Sequence, residues 1–116
     1  MRGAAETLIT GSGLTALARR GARDSVAVLA YHNVVEPEFA GRGDASLHLP
    51  LDRFVAQVEW IAATHDVVPL DSVAFPRNGQ ARGRPRAVIT FDDAYRGAVR
   101  YALPELERRG LPATVF

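Results

Sequence analysis

Ala87-Val88-Ile89-Thr90-Phe91 runs without a break into Asp92-Asp93, and this junction decides how the rest of the chain is read. The run is apolar apart from Thr90 and rich in β-branched side chains, which suits a strand buried on both faces, as in a parallel sheet. Two carboxylates at the carboxyl end of such a strand stand where parallel α/β sheets gather ligands and catalytic groups. Neighbouring side chains on a regular strand point to opposite faces, but a backbone turn at the strand end lets both converge on one pocket. One carboxylate can then bind a cation while the other accepts a proton, the cation favouring the ionised form of its ligand. The competing reading is structural: Asp92 or Asp93 caps a helix beginning near Ala94.

Beyond the doublet, Tyr95, Val99, Ala102, Leu103 and Leu106 recur at helical spacing. Pro104 lacks a backbone donor, so this helix kinks or restarts there. Gly110 suits the position just past a helix end, with Arg108 and Arg109 favourably placed in the last turn. Ala113-Thr114-Val115-Phe116 begins another strand.

Before the doublet, Val26-Ala27-Val28-Leu29-Ala30-Tyr31 reads as a second strand buried on both faces, followed by a polar loop through His48. Arg42-Gly43-Asp44 in that loop matches an adhesion tripeptide, but a polar loop explains three residues as well. Leu51, Phe54, Val55, Val58, Ile61 and Ala62 form an amphipathic helical stripe that should end near Thr64-His65. Val67-Val68-Pro69-Leu70 reads as a short strand that its proline places at an edge or an end, and Asp71 to Phe75 as one helical turn. Arg77 to Arg86 has no carboxylate and no aromatic residues interleaved for base stacking, and it reads as a solvated connection.

The order strand, helix, strand, strand, helix, strand predicts an α/β fold with parallel pairing. Its 116 residues allow one domain. Three or four strands are too few to close a barrel of about 200 residues or more, so the expectation is the front portion of a larger domain. Residues 1–25 are expected to form an N-terminal extension; they lack the uninterrupted apolar stretch of a signal peptide, though Leu14 to Arg20 could form a short helix. A cytoplasmic location is the default expectation, and no apolar run is long enough to span a bilayer.

Composition excludes further classes of chemistry. With no cysteine there are no disulfides, thiolate metal sites or cysteine nucleophiles, and all 14 basic residues are arginine, which removes lysine Schiff-base chemistry. A net charge of +1 argues against a dedicated nucleic-acid surface.

Thr90-Phe91-Asp92-Asp93, with Ala87-Val88-Ile89 before it and Leu103-Pro104-Glu105-Leu106 and Gly110-Leu111-Pro112-Ala113-Thr114-Val115-Phe116 after it, resembles the polysaccharide deacetylase family (carbohydrate esterase family 4). Val28-Leu29-Ala30-Tyr31-His32-Asn33-Val34 and the Phe54 helix leading to Val67-Val68-Pro69-Leu70 extend the resemblance over residues 26–116, the N-terminal portion of that domain. The resemblance implies a distorted (β/α) barrel, incomplete here. It also implies a hydrolase of non-peptide carbon–nitrogen bonds that removes N-acetyl groups from amino-sugar polymers or oligosaccharides with a divalent cation, zinc foremost. On the family's pattern Asp92 is the general base and Asp93 a metal ligand.

Two departures stand out. Ala94 occupies a place that is usually glycine, and the family's pair of metal-binding histidines spaced i, i+4 is absent from a chain whose histidines are His32, His48 and His65. Catalytic zinc usually takes three protein ligands, so the 116 residues alone are expected to be inactive. His32, just after the first strand, is a candidate substrate contact or an ordinary hydrogen-bonded loop histidine. His65 falls at a helix carboxyl end, His48 is given no role, and Trp60 lies off the main stripe of its helix, as a sugar platform or as packing. Two rival readings remain: a non-catalytic carbohydrate-binding or interaction remnant of the same fold, and an aspartyl phosphoryl-transfer site. The latter usually wants a second aspartate where Ala94 stands.

Overall fold

The structure, a computed structural model, describes residues 25–39, 41–74 and 84–116. The expectations for residues 1–24 of the N-terminal extension, for Phe75 at the end of the expected helical turn and for positions 77–83 of the arginine-rich connection lie outside the described residues.

Strand β1 (Val26–Tyr31) is followed after His32 by the short β2 (Asn33–Val35) and a 3-10 turn (Pro37–Phe39), and β3 (His48–Pro50) leads directly into helix α1 (Leu51–Thr64). Then come β4 (Asp66–Val67), a 3-10 turn (Leu70–Ala74) and β5 (Arg86–Phe91). A π-helical turn (Ala98–Ala102), helix α2 (Leu103–Arg108) and β6 (Thr114–Val115) complete the order. Every strand pair is parallel, as the alternation of strands and helices predicts. β5 is central, with β1 along its whole length from Val26↔Arg86 to Tyr31↔Phe91. On the other edge the carbonyls of Ala87 and Phe91 accept from the backbone N–H of Val68 and Phe116, each at 2.9 Å. Residues an even number apart bond to the same edge of a parallel strand, so β4 covers the start of that edge and β6 its end.

One face of the sheet carries the core. Tyr31, Ile89 and Phe91 project from it onto Phe54 and Val58 of α1 and onto Ala98, Ala102 and Leu106 beyond the doublet. The rings of Tyr31, Phe54 and Phe91 meet with centroids 5.1–5.9 Å apart, an arrangement that adds quadrupole attraction to area burial. The α1 stripe read from the sequence is the buried one at Phe54, Val58 and Ile61. Its carboxyl end is closed by an unforeseen partner: Arg84 Nη1 donates to the carbonyls of Ala62 (3.1 Å) and Ala63 (2.9 Å). That end of the connection is thus a helix cap rather than a purely solvated link.

Other readings change in detail. β1 is not buried on both faces: Val28 is 59% exposed, because among the described residues only β5 pairs with β1. The loop through His48 contains β2 and β3, which pair with each other. The strand at Val67–Leu70 shrinks to Asp66–Val67, since Pro69 cannot donate to a ladder and a 3-10 turn starts at Leu70. Val99, placed on the apolar stripe, is 53% exposed because the π turn widens the helix and shifts its phase. Pro104 does mark the restart, in the first turn of α2. Gly110 closes α2 in the left-handed region (φ +66°), with its N–H bonded to the Glu107 carbonyl.

Candidate active site

The carboxyl ends of β1 and β5 lie side by side. The Asp92 N–H donates to the Tyr31 carbonyl (2.8 Å), so the residues that follow the two strands, His32 and Asp92-Asp93, emerge at the same end of the sheet. The chain then turns through two consecutive left-handed residues, Asp93 (φ +68°) and Ala94 (φ +45°). Neither is glycine, and such a backbone persists only where its surroundings fix it. The turn brings Asp93 Oδ2 to 3.6 Å from His32 Nδ1, an atom withdrawn from solvent with no hydrogen-bond partner among the described residues. Asp92 is partly buried, while the side chain of Asp93 is 71% exposed.

The capping alternative loses its geometric basis. The helical segment starts at Arg96 rather than near Ala94, and the π turn, preceded by Gly97, has no side-chain cap bond.

The seat of this turn is the neighbouring β2. Gly97 packs so tightly there that a Cβ would lie 2.0 Å from the Val34 carbonyl oxygen and 2.2 Å from Asn33 Oδ1. Farther along, the Tyr101 hydroxyl donates to Glu36 Oε1 (2.7 Å) just past β2, a bond that holds the Glu36 carboxyl below its ordinary value. Asn33 in turn bonds through Nδ2 to His48 Nδ1 (3.1 Å), its register partner on β3. Sequence reasoning assigned no role to His48, quoted Asn33 only within the stretch after β1, and did not single out Gly97. The one available signal was a polar residue directly after His32, and nothing local marks a contact between positions 33 and 97.

The remaining candidates fall elsewhere. His65 precedes β4, whose pairing Asp66↔Arg86 puts it at the start of β5, the end of the sheet opposite the doublet. Its ring bonds to the Thr64 hydroxyl (2.7 Å) and stands 5.7 Å from the partly buried Trp60 ring, which makes both of them packing residues of α1. In Arg42-Gly43-Asp44, the Asp44 carboxylate accepts from the backbone N–H and hydroxyl of Ser46, forming a local turn.

As metal donors, the described residues offer Asp93 and the adjacent His32, and no group of three or more His, Cys, Asp or Glu side chains able to hold an ion occurs among them. By themselves they do not fit a catalytic zinc, which usually takes three protein ligands.

The architecture is a mixed α/β fold with parallel strands, and solved structures share it. IcaB from Ammonifex degensii superposes with a TM-score of 0.63 at 20% identity, over 80% of this chain and 38% of that one. A de-N-acetylase from Aggregatibacter actinomycetemcomitans gives 0.62 at 23% identity, over 78% and 36%. A polysaccharide deacetylase from Bacillus cereus gives 0.58 at 21%, over 78% and 28%. No protein-family model and no curated protein matches the chain. The chain thus spans well under half the length of these structures, and a closed barrel is not among its described elements. No helix among the described residues is long and apolar enough to cross a membrane.

Proposed function

We propose that this chain forms the front of a metal-dependent hydrolase that removes N-acetyl groups from amino-sugar polymers or oligosaccharides. The observation that carries the reading is the convergence of Asp92, Asp93 and His32 at the carboxyl end of the sheet, on a strained turn. Strain of about 1–3 kcal/mol per residue is tolerated chiefly where it fixes functional groups. The likeness in fold to a de-N-acetylase and a polysaccharide deacetylase supports it.

In this reading Asp92 is the general base: its carboxylate takes the proton of a water attacking the amide carbonyl carbon, and the proton later leaves on the amine. Asp93, more exposed, is one ligand of a divalent metal, zinc foremost, whose other ligands belong to a larger catalytic unit. His32 contacts the substrate beside Asp93. The 116 residues alone therefore bind and position without turning over.

The alternative is a carbohydrate-binding or interaction remnant without chemistry. Isothermal titration of the purified chain with N-acetylglucosamine oligomers, with and without zinc, separates the two. Binding strengthened by zinc, and weakened by Asp93→Asn, supports the hydrolase reading; metal-independent binding favours the remnant. Acetate release by the 116-residue chain would contradict the proposed inactivity of this portion.

A further inference from the structure

We infer that His48 is a positioning residue for the acidic turn, acting through Asn33 and Gly97; the inference rests on the reading of Asp92-Asp93 as the reactive doublet. Between the Asp92 N–H, bonded to the Tyr31 carbonyl, and Gly97, the chain must hold two left-handed non-glycine residues. The first anchor is a ladder bond of the sheet. The second is steric: Gly97 is pressed against Asn33 Oδ1 and the Val34 carbonyl, where only a hydrogen fits.

The backbone half of that seat is fixed by β2. The side-chain half depends on how the Asn33 amide is turned, because its two ends have nearly the same shape but opposite hydrogen-bonding character. His48 decides it. With Nδ2 donating to His48 Nδ1, the carbonyl end faces Gly97. There Asn33 Oδ1 is buried and lacks a hydrogen-bond partner among the described residues, a cost an unconstrained amide would relieve by rotating. An acceptor at Nδ1 means that the neutral His48 ring carries its proton on Nε2. The ring itself is held in place: its Cδ2 and Nε2 pack against Gly43, its edge meets Tyr95 at 6.3 Å between centroids, and Asp44 is the charged group beside it.

The chain of contact therefore runs from β3 through β2 to the segment carrying the carboxylates. It makes a histidine at the start of β3 a determinant of where Asp93 sits relative to His32.

Nuclear magnetic resonance of the 116-residue protein tests this without any enzyme assay. Long-range ¹H–¹⁵N spectra of the neutral ring should show His48 as the Nε2–H tautomer. His48→Ala should shift the amide resonances of Asp92 through Gly97, whereas His48→Asn, whose carbonyl can replace the lost acceptor, should leave them near their wild-type positions. A His48 ring protonated on Nδ1 would overturn the inference, as would a folded His48→Ala protein with unmoved resonances from Asp92 to Gly97. If His48→Ala does not fold, the wild-type tautomer still decides. None of these readouts involves substrate or metal, so the inference can fail while the deacetylase reading stands, and the reverse.

Discussion

β1 and β5 are six-residue parallel strands paired residue for residue, and each delivers polar side chains to the same end of the sheet. Their surroundings differ. Val88 on β5 is 1% exposed while Val28, its register partner on β1, is 59% exposed. Their exits differ as well: β1 continues through His32 into the extended β2, whereas β5 breaks into two left-handed residues. The comparison teaches that burial follows from neighbours and not from an apolar run, and that His32 and the acidic doublet sit where a relaxed exit meets a strained one.

The largest effect should come from the aromatic centre of the β5 face. Phe91→Ala, which empties a fully buried position against Tyr31 and Phe54, is expected to cost about 3–5 kcal/mol in urea denaturation. Val88→Ala should cost about 2 kcal/mol and Val28→Ala less than about 0.5, since only the first creates a cavity. Equal losses for this register pair would break the comparison.

Arg109→Ala should cost about 1 kcal/mol, because Arg109 bonds Glu105 of α2 (2.6 Å) and Glu59 of α1 (2.9 Å) and so ties the two helices together. The Arg109 guanidinium, hydrogen-bonded to it, holds the Glu105 carboxyl below its ordinary value. A depressed carboxyl stabilises the fold above its unfolded value and loses that contribution as pH falls through the folded one. The stability difference between wild type and Glu105→Gln should therefore be present at neutral pH and shrink below about pH 4.

Among the smallest effects, Ala94→Gly should raise stability by about 0.5 kcal/mol in thermal unfolding. Relief of a left-handed alanine outweighs the greater chain entropy of glycine by a narrow margin. A loss on this substitution would mean that the exit from β5 is not strained.

Much of this was legible in the residues. The alternating strands and helices, the stripe at Phe54, Val58 and Ile61, the restart at Pro104 and the closing Gly110 all follow from local chemistry, because period, ring closure and positive φ are local properties. The doublet was legible for the same reason: carboxylates after an apolar strand mark a strand end. What escaped depends on contacts between distant positions. The open side of Val28 depends on which strands flank β1. The Arg84 cap reaches back to Ala62, Asn33 reaches His48, and Gly97 meets Val34, each across a span that no periodicity reports.

Acetate release from N-acetylglucosamine oligomers by the complete catalytic unit that the proposed function calls for, with Asp92→Asn and Asp93→Asn beside the wild type, bears most directly on the role of the doublet. Removing a general base should lower turnover by at least about 100-fold, and the Asp93 variant should lose activity together with bound metal. Full turnover in both variants would contradict the assignment of chemistry to this turn.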